Sequence, residues 1–79
     1  MADSEKEAIE LVEFIAKAIV TDSDAIKVVA ADGGSVLELE TTEADRGRVI
    51  GRQGRIAKAM RAVLAASRSG GDRRLEIVD

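Results

Sequence analysis

The residues of this chain that could hold a negatively charged group crowd into one stretch. Between positions 45 and 61 a single acid, Asp45, stands against Arg46, Arg48, Arg52, Arg55, Lys58 and Arg61, a net +5. Residues 1–24 carry −5, residues 25–44 carry −3, and residues 62–79 balance. The whole-chain charge of −3 hides this basic stripe, which is the local electrostatic footprint of a polyanionic partner. Inside the stripe, Gly51 and Gly54 bracket Arg52 and Gln53. Glycine at both ends of so short a link permits a sharp turn between helices and lets a foreign backbone come close. The start of the helix that follows offers unpaired N–H groups and a positive dipole end, which suit a phosphate. Arg52 and Arg55 add charge there. The chemistry implied is the holding of phosphate groups.

Other chemistries find few residues. The chain has no His, Cys, Trp or Tyr, so the usual nucleophile–base pairs, imidazole or thiolate metal sites and disulfides cannot be assembled. Its carboxylates fall mainly on expected solvent faces and show no paired arrangement. No catalytic residue, metal or cofactor is expected, and the protein is read as a non-enzyme. A dinucleotide-binding fingerprint needs G-x-G-x-x-G after a strand, but here a helix leads into the glycines. A P-loop needs Gly-Lys-Ser/Thr, whereas Gly54 is followed by Arg55 and Ile56. The beginning, Met1-Ala2-Asp3-Ser4-Glu5, is acidic where a secretory signal would be basic. No apolar run approaches the ~20 residues of a membrane span. A cytoplasmic protein is the expectation.

The elements that must position the loop follow from periodicity. A chain of 79 residues has room for one domain, 1–79. Its one aromatic, Phe14, leaves a core of Ile, Val, Leu, Met and Ala. From Ser4 to about Val20 the pattern is helical. Ser4 and Glu7 resemble a capping box, Ala8, Leu11, Val12, Ile15 and Ile19 share a face, and Phe14 and Ala18 widen it. Ile26, Val28 and Ala30 alternate with Lys27 and Val29, and Leu37 and Leu39 with Glu38 and Glu40. Asp32-Gly33-Gly34 between them predicts a hairpin. A second helix starts near Thr42, with Asp45 as capping partner, and stops at Gly51. A third begins at about Arg55, places Ile56, Met60, Val63 and Leu64 on one face, and is terminated by Ser69-Gly70-Gly71. Leu75 and Ile77 mark a last strand. The order helix, strand, strand, helix, helix, strand predicts an α+β sandwich, a three-stranded sheet packed on one face by three helices.

The stretch Val49-Ile50-Gly51-Arg52-Gln53-Gly54-Arg55-Ile56 matches the KH-domain core pattern V-I-G-x-x-G-x-x-I. The element order resembles the type II KH topology. Leu11-Val12-Glu13-Phe14-Ile15, Leu37-Glu38-Leu39, Asp45 to Gly51 and Leu75-Glu76-Ile77-Val78 extend the likeness to the small bacterial single-KH family of the KhpA type. That resemblance implies single-stranded RNA held across the G-x-x-G loop, which in KH domains clamps the backbone of about four nucleotides. Carried over by position, Gly51, Arg52, Gln53 and Gly54 meet phosphates, and Val49, Ile50 and Ile56 form an apolar groove floor with Leu37 and Leu39 nearby. With Arg48, Arg55 and Lys58 these make the expected RNA-binding set. The resemblance further implies broad RNA binding, as an RNA chaperone or post-transcriptional regulator, and a homodimer or a heterodimer with a larger Jag-type KH protein.

Plainer readings stand beside these. Val49, Ile50 and Ile56 have the spacing of core positions; Arg46, Arg48, Lys58 and Arg61 could form a solvated helix face; and the glycines could serve only a tight turn. The alternative function is an adaptor whose KH surface mainly recruits a partner KH protein.

Overall fold

The structure, a computed structural model, describes the backbone of residues 2–78 and the side chains from Ser4 onward. The expected limits at Met1 and Asp79 lie outside that range. Helix α1 (Ala2–Ile19) leads through a short 3₁₀ turn to strand β1 (Lys27–Ala31), and a tight connection at Asp32–Gly34 returns the chain as β2 (Val36–Glu40). Helices α2 (Glu43–Ile50) and α3 (Arg55–Ala66) follow, then strand β3 (Arg74–Val78). The sheet order is β1-β2-β3, with β1 antiparallel and β3 parallel to the central β2. Parallel neighbours need a long crossover, and α2 and α3 supply it. The architecture is the expected α+β.

Alternation explains the sheet. Leu37 and Leu39 are fully buried between both neighbours. The register places Val28 beside Leu39 and Leu39 beside Ile77, and Ala30 beside Leu37 and Leu37 beside Leu75. These two inward rows meet Ala8, Val12 and Ala16 of α1, Val49 of α2, and Met60 and Leu64 of α3 in one core. At the hairpin, Asp32, Gly33 and Gly34 all take positive φ, the conformation for which Asp and Gly were singled out.

Three expectations about the helices need correction. Ser4 does not cap α1, which already includes Ala2. Its hydroxyl serves tertiary contacts instead, donating to the Ser69 carbonyl at 3.4 Å and accepting from Arg73 Nη2 at 3.3 Å. Phe14 does not widen the buried face and is 75% exposed. At 3.6 residues per turn it points about 200° away from Val12. Finally, α3 ends at Ala66, short of the Ser69-Gly70-Gly71 signal, because Ser67 turns extended and its hydroxyl donates to the Leu64 carbonyl at 2.7 Å. Among the described residues no helix is long and apolar enough to cross a membrane.

Candidate nucleic-acid interface

Helix α2 starts as its sequence asks. Thr42 is the N-cap, and its hydroxyl oxygen accepts the Asp45 N–H at 3.1 Å. The helix stops at Gly51, whose N–H still reaches the Gly47 carbonyl at 2.8 Å. Gly51 has φ 76° and ψ 171°, a region essentially reserved for glycine. Space demands glycine there as well, since a Cβ would lie 2.9 Å from the Ile56 nitrogen and 2.8 Å from the Ile56 Cβ. Gly54 is left-handed, with φ 74°, and its missing side chain faces open space. Gly47 lies inside α2.

The loop is a single 3₁₀ turn, Arg52–Gly54. Gly54 donates to the Gly51 carbonyl at 3.1 Å, and the Arg55 N–H bonds the Arg52 carbonyl. Two amides expected to be unpaired at the start of α3 are therefore engaged within the turn. Gln53 takes φ 57°, which sequence reasoning did not anticipate because glycine seemed to cover every left-handed position. Arg52 and Gln53 are exposed, and Arg55 Nη2 donates to Gln53 Oε1 at 3.5 Å. Arg55 and Lys58, three residues apart in α3, are both exposed and neighbours on one helix face.

The remaining predicted positions separate. Ile50 is 37% exposed beside the loop, and Ile56 is partly buried beneath it. Val49 is fully buried, as are Leu37 and Leu39, so none of the three offers a surface to a ligand. The inward face of α2 claims Val49 for the core. Arg48 is exposed but leans back, with Nε 3.4 Å from Asp45 Oδ1. Arg61 Nε donates to the Leu75 carbonyl at 3.1 Å and ties α3 to β3. The basic stripe thus contains both free-standing and structural cations.

The sequence suggests only a capping role for Asp45, and the structure gives it more. Its carboxylate is 1% exposed. Oδ1 accepts from the Thr21 N–H at 3.0 Å and the Thr21 hydroxyl at 2.9 Å, and Oδ2 accepts from the Asp22 N–H at 3.0 Å and the Thr42 hydroxyl at 3.3 Å. The Thr21 N–H, chiefly, with the Asp22 N–H and the two hydroxyls, holds this carboxyl below the ordinary aspartate range against the opposing effect of burial. The only signal in the sequence was an isolated acid among cations. Because the folded pKa lies below the unfolded value of about 3.9, the contribution to stability is complete above that value and is lost as pH falls through the folded pKa. Chemical denaturation between neutral and acid pH should show wild-type stability falling on the acid side. Asp45→Asn should be less stable at neutral pH and flatter below. Parallel pH profiles would remove Asp45 from the acid response.

A second surface lies between α1 and α3. Leu11, Phe14, Ile15, Ile56, Met60 and Val63 line most of an apolar groove of about 410 Å³. Phe14 and Val63, 75% and 47% exposed, stand at it.

Residues 9–78 match the family described as KhpA/KhpB, KH domain. The chain belongs to that family. The protein named RNA-binding protein KhpA from Borreliella burgdorferi is 44% identical over 75 residues, covering 90% of this chain and 92% of its own. The protein of that name from Clostridium perfringens is 47% identical over 60 residues, 73% of this chain and 80% of its own. The one from Halalkalibacterium halodurans is 44% identical over 73 residues, 87% and 96% of the two chains. No solved structure gives a significant match. In this KhpA/KhpB-family domain the turn from Gly51 to Gly54 is carried between two helices on a three-stranded mixed sheet.

Proposed function

We propose that this domain binds single-stranded RNA across the Gly51–Gly54 turn with low sequence specificity, as an RNA chaperone or post-transcriptional regulator in the cytoplasm. The observation that carries the reading is the glycine-bracketed turn that exposes Arg52 and Gln53, with Arg55 and Lys58 exposed beyond it, in a family whose relatives are named RNA-binding proteins. Gly51, Arg52, Gln53 and Gly54 meet the phosphate backbone, Arg48, Arg55 and Lys58 supply charge, and Ile50 and the exposed part of Ile56 give an apolar edge. Val49 supports this surface from the core. Specificity is low because Phe14, the one aromatic in the chain, stands at the α1–α3 groove and not at the turn. Stacking worth ~1–3 kcal/mol per base is then unavailable.

Binding driven by about three phosphate contacts has a log–log salt slope near −2, at ~0.7 per phosphate for single strands. Fluorescence anisotropy of a labelled oligouridylate across a salt series reads that slope. Salt-independent binding, or a preference for duplex, rejects this mode.

The α1–α3 groove favours an additional reading, in which the domain pairs with a second copy or with a larger Jag-type KH protein. A site of about four nucleotides gives little affinity alone, and joining two sites raises avidity without new contacts. Phe14→Asp leaves the core intact and should shift sedimentation at tens of micromolar from dimer to monomer, with RNA affinity falling in step. A wild-type protein that is strictly monomeric and retains no added Jag-type partner contradicts pairing.

A further inference from the structure

Helix α2 carries the turn at its C-terminal end; Val49 and Asp45 are its two fully buried residues, with Arg46 half-buried. Asp45 and Val49 lie four residues apart, on one stripe of the helix. Val49 is the apolar anchor near the turn. The second anchor, a full turn back, is the Asp45 carboxylate, gripped by Thr21 and Asp22 at the exit from α1 and by the Thr42 hydroxyl. The same carboxylate pairs with Arg48, one turn on in the same helix, at 3.4 Å. Gly51 follows α2 directly, so these anchors contribute to its orientation.

We infer that Asp45 is a positioning residue for nucleic-acid binding: by fastening the first turn of α2 to the Thr21–Asp22 segment, it sets the orientation of the Gly51–Gly54 turn toward the phosphates of a single strand. The inference rests on the RNA-binding reading above for its ligand, but not for its geometry. Asp45 touches no ligand in this account. It acts through α2.

Asp45→Asn keeps the size of the side chain while turning one acceptor into a donor, which then faces the donors of Thr21 or of Asp22 and Thr42. The test compares it with Leu64→Ala, a core truncation in α3 away from the turn, at a temperature where both are fully folded. In Asp45→Asn the amide chemical shifts of Gly51, Arg52, Gln53 and Gly54 should move, and affinity for a short oligouridylate should weaken about tenfold. In Leu64→Ala, comparably destabilised, both should stay near wild type. If Asp45→Asn does not fold, Thr21→Val decides the matter. It removes one hydroxyl and keeps the β-branched shape, so it should weaken binding about threefold, with Thr21→Ser restoring it. Wild-type loop shifts and wild-type affinity in a folded Asp45→Asn, or in Thr21→Val where the former does not fold, overturn the inference. A wild-type protein that binds no oligouridylate fails the RNA reading instead, and the loop shifts then decide the positioning role.

Discussion

Gly51→Ala is expected to lower the melting temperature at least about twice as far as Gly54→Ala, whose own loss should be ~4–16 °C. The two glycines look equivalent in the sequence and both have positive φ. They differ in what surrounds them. At Gly51 the backbone sits where only glycine is comfortable, which costs an L-residue ~1–3 kcal/mol. The new Cβ also meets the Ile56 nitrogen at 2.9 Å, and forcing atoms into a packed site costs a further ~1–3 kcal/mol. A backbone atom in α3 cannot swing aside as a side chain could, so relief must come from moving the helix or the turn. At Gly54 the space is open, and the penalty is the left-handed conformation alone, ~1–2 kcal/mol. Against a total stability of ~5–15 kcal/mol, the first change threatens the fold and the second does not. Thermal melting by circular dichroism gives the comparison. Equal losses would mean that Ile56 does not press against Gly51.

Arg52→Asp combined with Gln53→Asp should abolish RNA binding while leaving the melting temperature within a few degrees of wild type. Both side chains are exposed and fill no part of the core. Gln53, at φ 57°, occupies a conformation in which aspartate is better tolerated than most residues. Acids beside the start of a helix are favourable by ~0.3–1 kcal/mol. The fold therefore loses little. The ligand loses a cation and gains two carboxylates at the distance of its phosphates. Paired melting and RNA titration separate the two effects. A double variant that melts normally and binds like wild type makes the turn a mere connector.

Local chemistry made much of this molecule legible. Leu37 and Leu39 alternating with glutamates gave the central strand, Thr42 and Asp45 the start of α2, and the Gly51–Gly54 spacing the turn itself. What stayed hidden depended on partners distant in sequence. Ser4 has the sequence of a cap, but the Ser69 carbonyl and Arg73, more than sixty residues on, occupy its hydroxyl. Val49 belongs to the family pattern expected to line the groove, yet α2 buries few other side chains and needs it inward. Phe14, expected to widen the apolar face of α1, is carried outward by helical phase. The partners of Asp45 are Thr21 and Asp22, and no periodicity links them to it. Gln53 was missed because a non-glycine residue with positive φ leaves no compositional trace.

The claim that the Gly51–Gly54 turn is the RNA site is tested most directly by following the backbone amide resonances of the isolated protein as a short oligouridylate is added. The account predicts that the largest shifts fall on Ile50 through Ile56 and on Lys58, that they saturate together, and that added salt reverses them. Shifts confined to the α1–α3 groove around Phe14 and Val63, or none at saturating oligonucleotide, would contradict it.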